Sequence, residues 1–198
     1  MNRRDFWLGL AVGSISTCLL GPLVFSAAGK ETDPSKCISP ETVAEYIHSV
    51  IQADRTFYQI AVVDRMEERG MVFPSEYWSQ DGGLPLPAQF LQESGQRASE
   101  QRNGIRFQLI SSWAINKKNR PTTEFERTGL AKLLVNPDRP YTGVTTEGGA
   151  HVFQALYADK AVSGRCADCH NVHPKSPKND FKAGDVMGGI LITIPLPK

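Results

Sequence analysis

The sequence predicts an α+β fold in which a long N-terminal helix and shorter helices pack on one antiparallel sheet. Three observations carry that prediction. Apolar residues recur at three-and-four spacing between Pro40 and Gly70, alternation begins at Ile105, and the chain closes on the β-branched run GILITIP. The elements follow in the order helix, helix, strand, short helix, two strands, a cysteine–histidine motif and a last strand. At 198 residues the chain holds one compact domain and a short extra segment at one end.

That extra segment is 1–30. Arg3 and Arg4 precede a run from Phe6 to Ala28 without a charge, the layout of an export signal. Cleavage near Ala27 or Ala28, lipid attachment at Cys18 and retention as a membrane anchor are all open, since the uncharged run can cross a bilayer core of about 30 Å. The body is therefore expected outside the cytoplasm, periplasmic or anchored to the inner membrane. Residues 31–40 form a polar linker and 41–198 the folded domain.

Within the domain, Ser39-Pro40-Glu41-Thr42 supplies a helix cap and a first-turn proline. Val43, Ile47, Val50 and Ile51, then Phe57, Ile60 and Ala61, supply its apolar stripe, and Gly70 ends it. From Met71 to Phe90 the residues Pro74, Gly82, Gly83, Pro85 and Pro87 exclude regular structure over most of the length, so a wrapping loop is expected. A second helix over 88–101 leads through the turn signal Asn103-Gly104 into a strand over 105–115. On that strand Ile105, Phe107 and Leu109 share one side, with Arg106 and Gln108 on the other. A short amphipathic helix over 122–135, capped by Thr122 or Thr123, precedes a hairpin about Glu147-Gly148-Gly149. The last strand is 184–198.

Charge narrows the function. With 22 basic and 21 acidic residues and the basic ones scattered, no polyanion partner is indicated and nucleic acid is excluded. The cysteines at 18, 37, 166 and 169 are too few for a disulfide framework in a domain of this size. What stands out is GRCADCHNVHP. In Cys166-Ala167-Asp168-Cys169-His170 two thiols can reach the two vinyl groups of one haem to form thioethers, and the adjacent histidine is carried to the iron as proximal ligand. A zinc site using Cys166, Cys169 and His170 or His173 lacks a second pair of ligands. A redox dithiol would open a helix after a strand in a thioredoxin-like unit, an order this chain does not reproduce. Covalent haem c is the leading expectation.

From about Thr42 to Pro195 the sequence resembles a family of single-haem c-type proteins with a PAS-like fold, found in cyanobacteria and as extracytoplasmic sensor modules of bacterial signalling proteins. LPLPAQF, ISSWAINKKNRPTTEFE and CADCHNVHPKSPKNDFKAGDVMGGILITIPL carry the resemblance, in that order. It implies a PAS-like antiparallel sheet with the haem motif near the C-terminus, Cys166 and Cys169 as thioether sites, and His170 as proximal iron ligand. One type of member takes its sixth ligand from a cysteine before the first strand, but the stretch from Met71 to Phe90 contains none here. Met71, where the wrapping loop begins, and His151, opening a strand near the motif, are the sixth-ligand candidates. An open iron beside Phe153 and Tyr157 or Tyr58 is the equal alternative. His173 would emerge on the same side as His170, and His48 and Cys37 read as ordinary side chains. Lys175, Lys178 and Lys182 could meet haem propionates or an acidic partner. The expected function is electron transfer with a redox partner protein, or redox sensing. A gas sensor acting through a separate signalling partner is the alternative, and no distal His–Arg pair supports a peroxidase.

Overall fold

The structure, a computed structural model, describes residues 37–197. The expected signal or anchor at 1–30, Cys18 and most of the linker lie outside the described residues. No helix among the described residues is long and apolar enough to cross a membrane.

Helix α1 (Pro40–Phe57) starts where its cap predicts: the Thr42 amide donates to Ser39 Oγ at 3.2 Å, and Pro40 occupies the first turn. It continues through a π-helical stretch, Tyr58–Asp64, into α2 (Arg65–Glu68), so the expected long helix is present with a wider turn inside it. Its apolar residues belong to two faces rather than one. Ala44 and Ile51 are buried against the sheet, whereas Val50, Phe57 and Ile60 are 60%, 68% and 60% exposed. Three-and-four spacing holds along both faces, which is why the sequence merges them.

The stretch after α2 is less irregular than its prolines predict. Strands β1 (Pro74–Ser75) and β2 (Leu84–Pro85) form a two-residue parallel ladder around α3 (Trp78–Asp81). Helix α4 (Pro87–Ser99) uses Pro87 as its first residue, and Gln89 Oε1 accepts from the Leu86 amide at 3.0 Å. It lies so close to the next strand that a Cβ on Gly95 would stand 2.2 Å from the Phe107 carbonyl oxygen. Only glycine fits there.

The main sheet has the order β3-β6-β5-β4 and is antiparallel throughout, built from β3 (Arg106–Ile110), β4 (Tyr141–Glu147), β5 (Ala150–Lys160) and β6 (Val186–Pro195). The hairpin between β4 and β5 turns on Gly148 and Gly149, both at positive φ, where a side chain would be strained. Strand β3 stops at Ile110, short of the expected Ile115. There the Ser111 hydroxyl donates to the Met187 carbonyl at 2.5 Å and accepts from the Trp113 amide at 3.0 Å, which folds the chain away from the ladder.

Strand alternation splits the core into two layers. On one face Phe153, Ala155, Tyr157, Ile190 and Ile192 pack with Ala44 and Ile51 of α1 and Leu91 of α4. On the other, Ile110, Leu156 and Leu191 meet Leu130 and Leu133 of α5 (Glu124–Val135), whose capping box joins Thr123 to Glu126. Each buried Leu or Ile contributes about 1.5–3 kcal/mol relative to exposure, so the sheet is secured on both sides.

Candidate functional site

The motif lies on α6 (Gly164–Val172), a helix ended by extended His173 before Pro174. Ala167 is its buried foot, packed with Ala161, Phe181 and Met187, while Cys166 and Trp113 border the same cluster. Cys166, Cys169 and His170 stand at i, i+3 and i+4, which puts them on one face of the helix. All three line a single cavity of about 1650 Å³. Ordinary ligand pockets hold roughly 300–1,000 Å³, so this space admits a large flat molecule.

The long helix gives the cavity a ladder of every fourth residue: Arg55, Gln59, Val63 and Glu67. The π-helical stretch makes that alignment. In an α-helix a four-residue step overshoots one turn by about 40°, and the wider π turn takes that drift back. Leu109, Ser111, Ala114 and Met187 add wall from the sheet side, and Pro74, Glu76 and Tyr77 from the loop.

His170 is half-buried, with Nδ1 sealed from solvent and without a partner among the described residues, and its ring meets Phe181 edge-on at 5.8 Å. Burial, then His173, lowers its pKa. Partial burial, followed by Glu76, Cys166 and Glu67, pushes the Cys169 thiol up. His173 is engaged elsewhere: Nε2 pairs with Glu76 at 2.9 Å and Nδ1 accepts from the Lys175 amide at 3.1 Å.

Polar contacts hold α6 in place. Arg165 pairs with Glu67, with Asp64 at 3.6 Å and with Glu68 at 3.7 Å, tying the motif helix to the end of the long one. Asn171 bonds the Phe181 backbone twice, its Nδ2 donating to the carbonyl and its Oδ1 accepting from the amide, both at 2.9 Å. Deeper in, Arg55 pairs with Asp159, the two side chains 7% and 6% exposed. Burial lowers the Arg55 pKa against the opposing pull of Cys166 nearby.

Neither sixth-ligand candidate is brought to this cavity. Met71 is 62% exposed, His151 sits exposed near the far end of β5 with Nδ1 3.4 Å from Thr146 Oγ1, and neither lines the wall. Cys37 is exposed, and His48 stacks on Tyr157 at 3.9 Å in the core layer under α1. Of the three lysines, Lys175 lines the cavity, and Lys178 lies 4.6 Å from the Phe181 ring centre. Sequence reasoning missed Arg55, Gln59 and Asp159. Their signal is an arginine and a glutamine continuing the buried spacing of Ala44 and Ile51, and an aspartate directly after the run Ala155-Leu156-Tyr157-Ala158. Among the described residues, no three His, Cys, Asp or Glu side chains are grouped to hold a metal ion.

Residues 39–195 match the family model described as Tll0287-like, a span that takes in every residue of the site. The chain belongs to the Tll0287-like family. Among solved structures it is similar to the crystal structure of the cyanobacterial heme-protein Tll0287, at 15% identity and a TM-score of 0.48, over 81% of this chain and 99% of that one. No curated protein matches. Cys37 and the N-terminal segment precede the stretch that the Tll0287-like model covers.

Proposed function

We propose that the protein binds one haem covalently, through thioethers to Cys166 and Cys169 with His170 as proximal iron ligand, and works outside the cytoplasm in electron transfer or redox sensing. The observation that carries this reading is the presentation of both thiols and the imidazole by one helix face into one cavity. The residues fit the group in three respects: the donor set suits thioether and iron chemistry, the space is large, and His170 has a buried ring nitrogen without a partner among the described residues. A four-ligand zinc site has no such support, because no further ligands gather there among the described residues. Membership of the Tll0287-like family, whose namesake is a heme-protein, points the same way.

When bound, the haem supplies one-electron exchange at its iron. The chain's residues do the rest. Cys166 and Cys169 would anchor the group and His170 would hold its iron, while Phe181 and Ala167 pack on the histidine side and Arg165 fixes α6 against the long helix. Ligation by Met71 or His151 requires either to move to the cavity, so an open or displaceable sixth position agrees best with their placement. The sheet with its leading helix is read as PAS-like, and 1–30 as the export signal or anchor.

The test is an optical spectrum of the protein made in a host with c-type haem maturation, reduced, before and after carbon monoxide. A pigment that survives denaturation in the native protein, and is lost in Cys166→Ala/Cys169→Ala, upholds covalent attachment. A band moved by the gas favours sensing, and one left unmoved favours electron transfer with a redox partner protein. Pigment persisting in the denatured double variant sinks the assignment.

A further inference from the structure

The buried arginine that the long helix sets in the cavity wall is unusually idle. An arginine carries five N–H donors, and Arg55 makes one hydrogen bond among the described residues, from Nη1 to Asp159 Oδ1. Its Nε is sealed from solvent and has no partner among the described residues. A buried charge left with unused donors is expensive, and the usual remedy is an anion that takes them in pairs. Arg55 and Asp159 both line the cavity that receives Cys166, Cys169 and His170.

We propose that Arg55 is the carboxylate-binding residue of this cavity, oriented by Asp159 so that its remaining guanidinium donors receive a carboxylate. Resting on the haem reading above, the first source is a propionate of the bound haem; the second is a free small carboxylate. The planar fork suits a carboxylate in a way a lysine does not. Asp159 acts as a positioning residue: it neutralises the site before the ligand arrives and holds the guanidinium at the wall. Gln59, buried one step along the ladder, is held in turn through Nε2 to Asp64 Oδ1 at 2.7 Å.

The test uses the full chain matured with haem. Removing Arg55 alone would leave Asp159 buried and unpaired, so the informative variant is Arg55→Gln/Asp159→Asn, which changes no net charge, with Arg55→Lys beside it. The reading is the reduction potential against pH. A propionate held ionised by Arg55 leaves the native potential level through the mildly acidic range. In the double variant the freed propionate takes up a proton on reduction, so the potential falls as pH rises, and Arg55→Lys, which keeps the charge without the fork, lies between the two. A second arm uses haem-free Cys166→Ala/Cys169→Ala protein and acetate, compared with chloride at equal ionic strength. A rise in melting temperature that disappears when Arg55→Gln/Asp159→Asn is added identifies a free carboxylate as the source. Potentials that superimpose, together with no acetate effect, overturn the proposal. Absence of covalent pigment in the native protein would instead defeat the haem reading, leaving the acetate arm to decide on Arg55.

Discussion

From β3 to β4 the sheet is held by antiparallel ladders and by aliphatic layers on both faces, with Leu133, Leu156, Ile190 and Ile192 sealed from water. From Gly164 to Asp185 the motif segment has one helix, two residues, Ala167 and Phe181, in a small apolar cluster completed by Ala161 and Met187, and a handful of point contacts: Arg165 to three acids, Asn171 to the Phe181 backbone, His173 to Glu76. The first region needs no ligand to account for its order. The second is pinned at separate places around a large space, an arrangement that would let a bulky group be attached without dismantling the sheet. The contrast is between a scaffold held by continuous packing and a motif segment held by point contacts.

The largest effect that would sharpen this contrast comes from the scaffold. Leu156→Ala opens a cavity between α5 and the sheet and is expected to lower stability by about 2–5 kcal/mol in chemical denaturation, while covalent pigment still forms below the transition. Loss of pigment under conditions where the variant is folded would mean that the two regions are not separable.

Next comes the motif segment. Asn171→Ala leaves the Phe181 amide and carbonyl without partners, at about 1–3 kcal/mol for a buried group left unsatisfied. Amide hydrogen exchange should show the loss of protection at Phe181 while the β5 and β6 amides stay protected; a uniform loss across the sheet would contradict local anchoring.

A smaller change is expected from Arg165→Gln. Its partners are partly exposed, so the loss should be no more than about 1 kcal/mol and should shrink as salt is added. Melting curves at low and high ionic strength check this.

The smallest contribution is one of pH. Burial lowers the His48 pKa, outweighing the upward pull of Glu45. The unfolded chain then binds a proton more readily than the folded one, so stability is full above the ordinary histidine range and falls as pH drops through it. His170, also lowered by burial, adds a slope of the same sign in haem-free protein. His48→Phe should flatten part of the decline between about pH 7.5 and about pH 5, and haem attachment should flatten the rest by engaging His170. Melting temperatures across that range, with and without haem, separate the two histidines.

How much of this was legible in the sequence follows from how far each signal reaches along the chain. The caps at Ser39 and Thr123 act over three residues and were readable, as was the Gly148-Gly149 hairpin. The motif was visible as a spacing, and the structure adds that Cys166, Cys169 and His170 share one helix and line one cavity. The outward face of α1 was not, since Val50 and Ile51 satisfy the same periodicity and only the sheet decides which turns inward. Nor was the end of β3: Ser111 leaves the ladder for Met187, 76 positions on. The Arg55–Asp159 pair joins residues 104 apart, and nothing local to either announces the other. Met71 and His151 were proposed as sixth ligands from chain position, which does not report the distance across a cavity.

The π-helical stretch makes winding itself a setting. Because Tyr58–Asp64 winds more loosely than its flanks, it accommodates one more residue than an α-turn would. Removing one residue there would let the helix close into regular α turns with Asp64, Glu67 and Glu68 still in phase with Arg165. Rewinding the same residues as plain α-helix would instead turn everything downstream by about 100° and swing the three acids off Arg165 together. Here the pitch of one turn, more than the identity of any residue in it, keeps those acids in phase with the helix that carries the thiols.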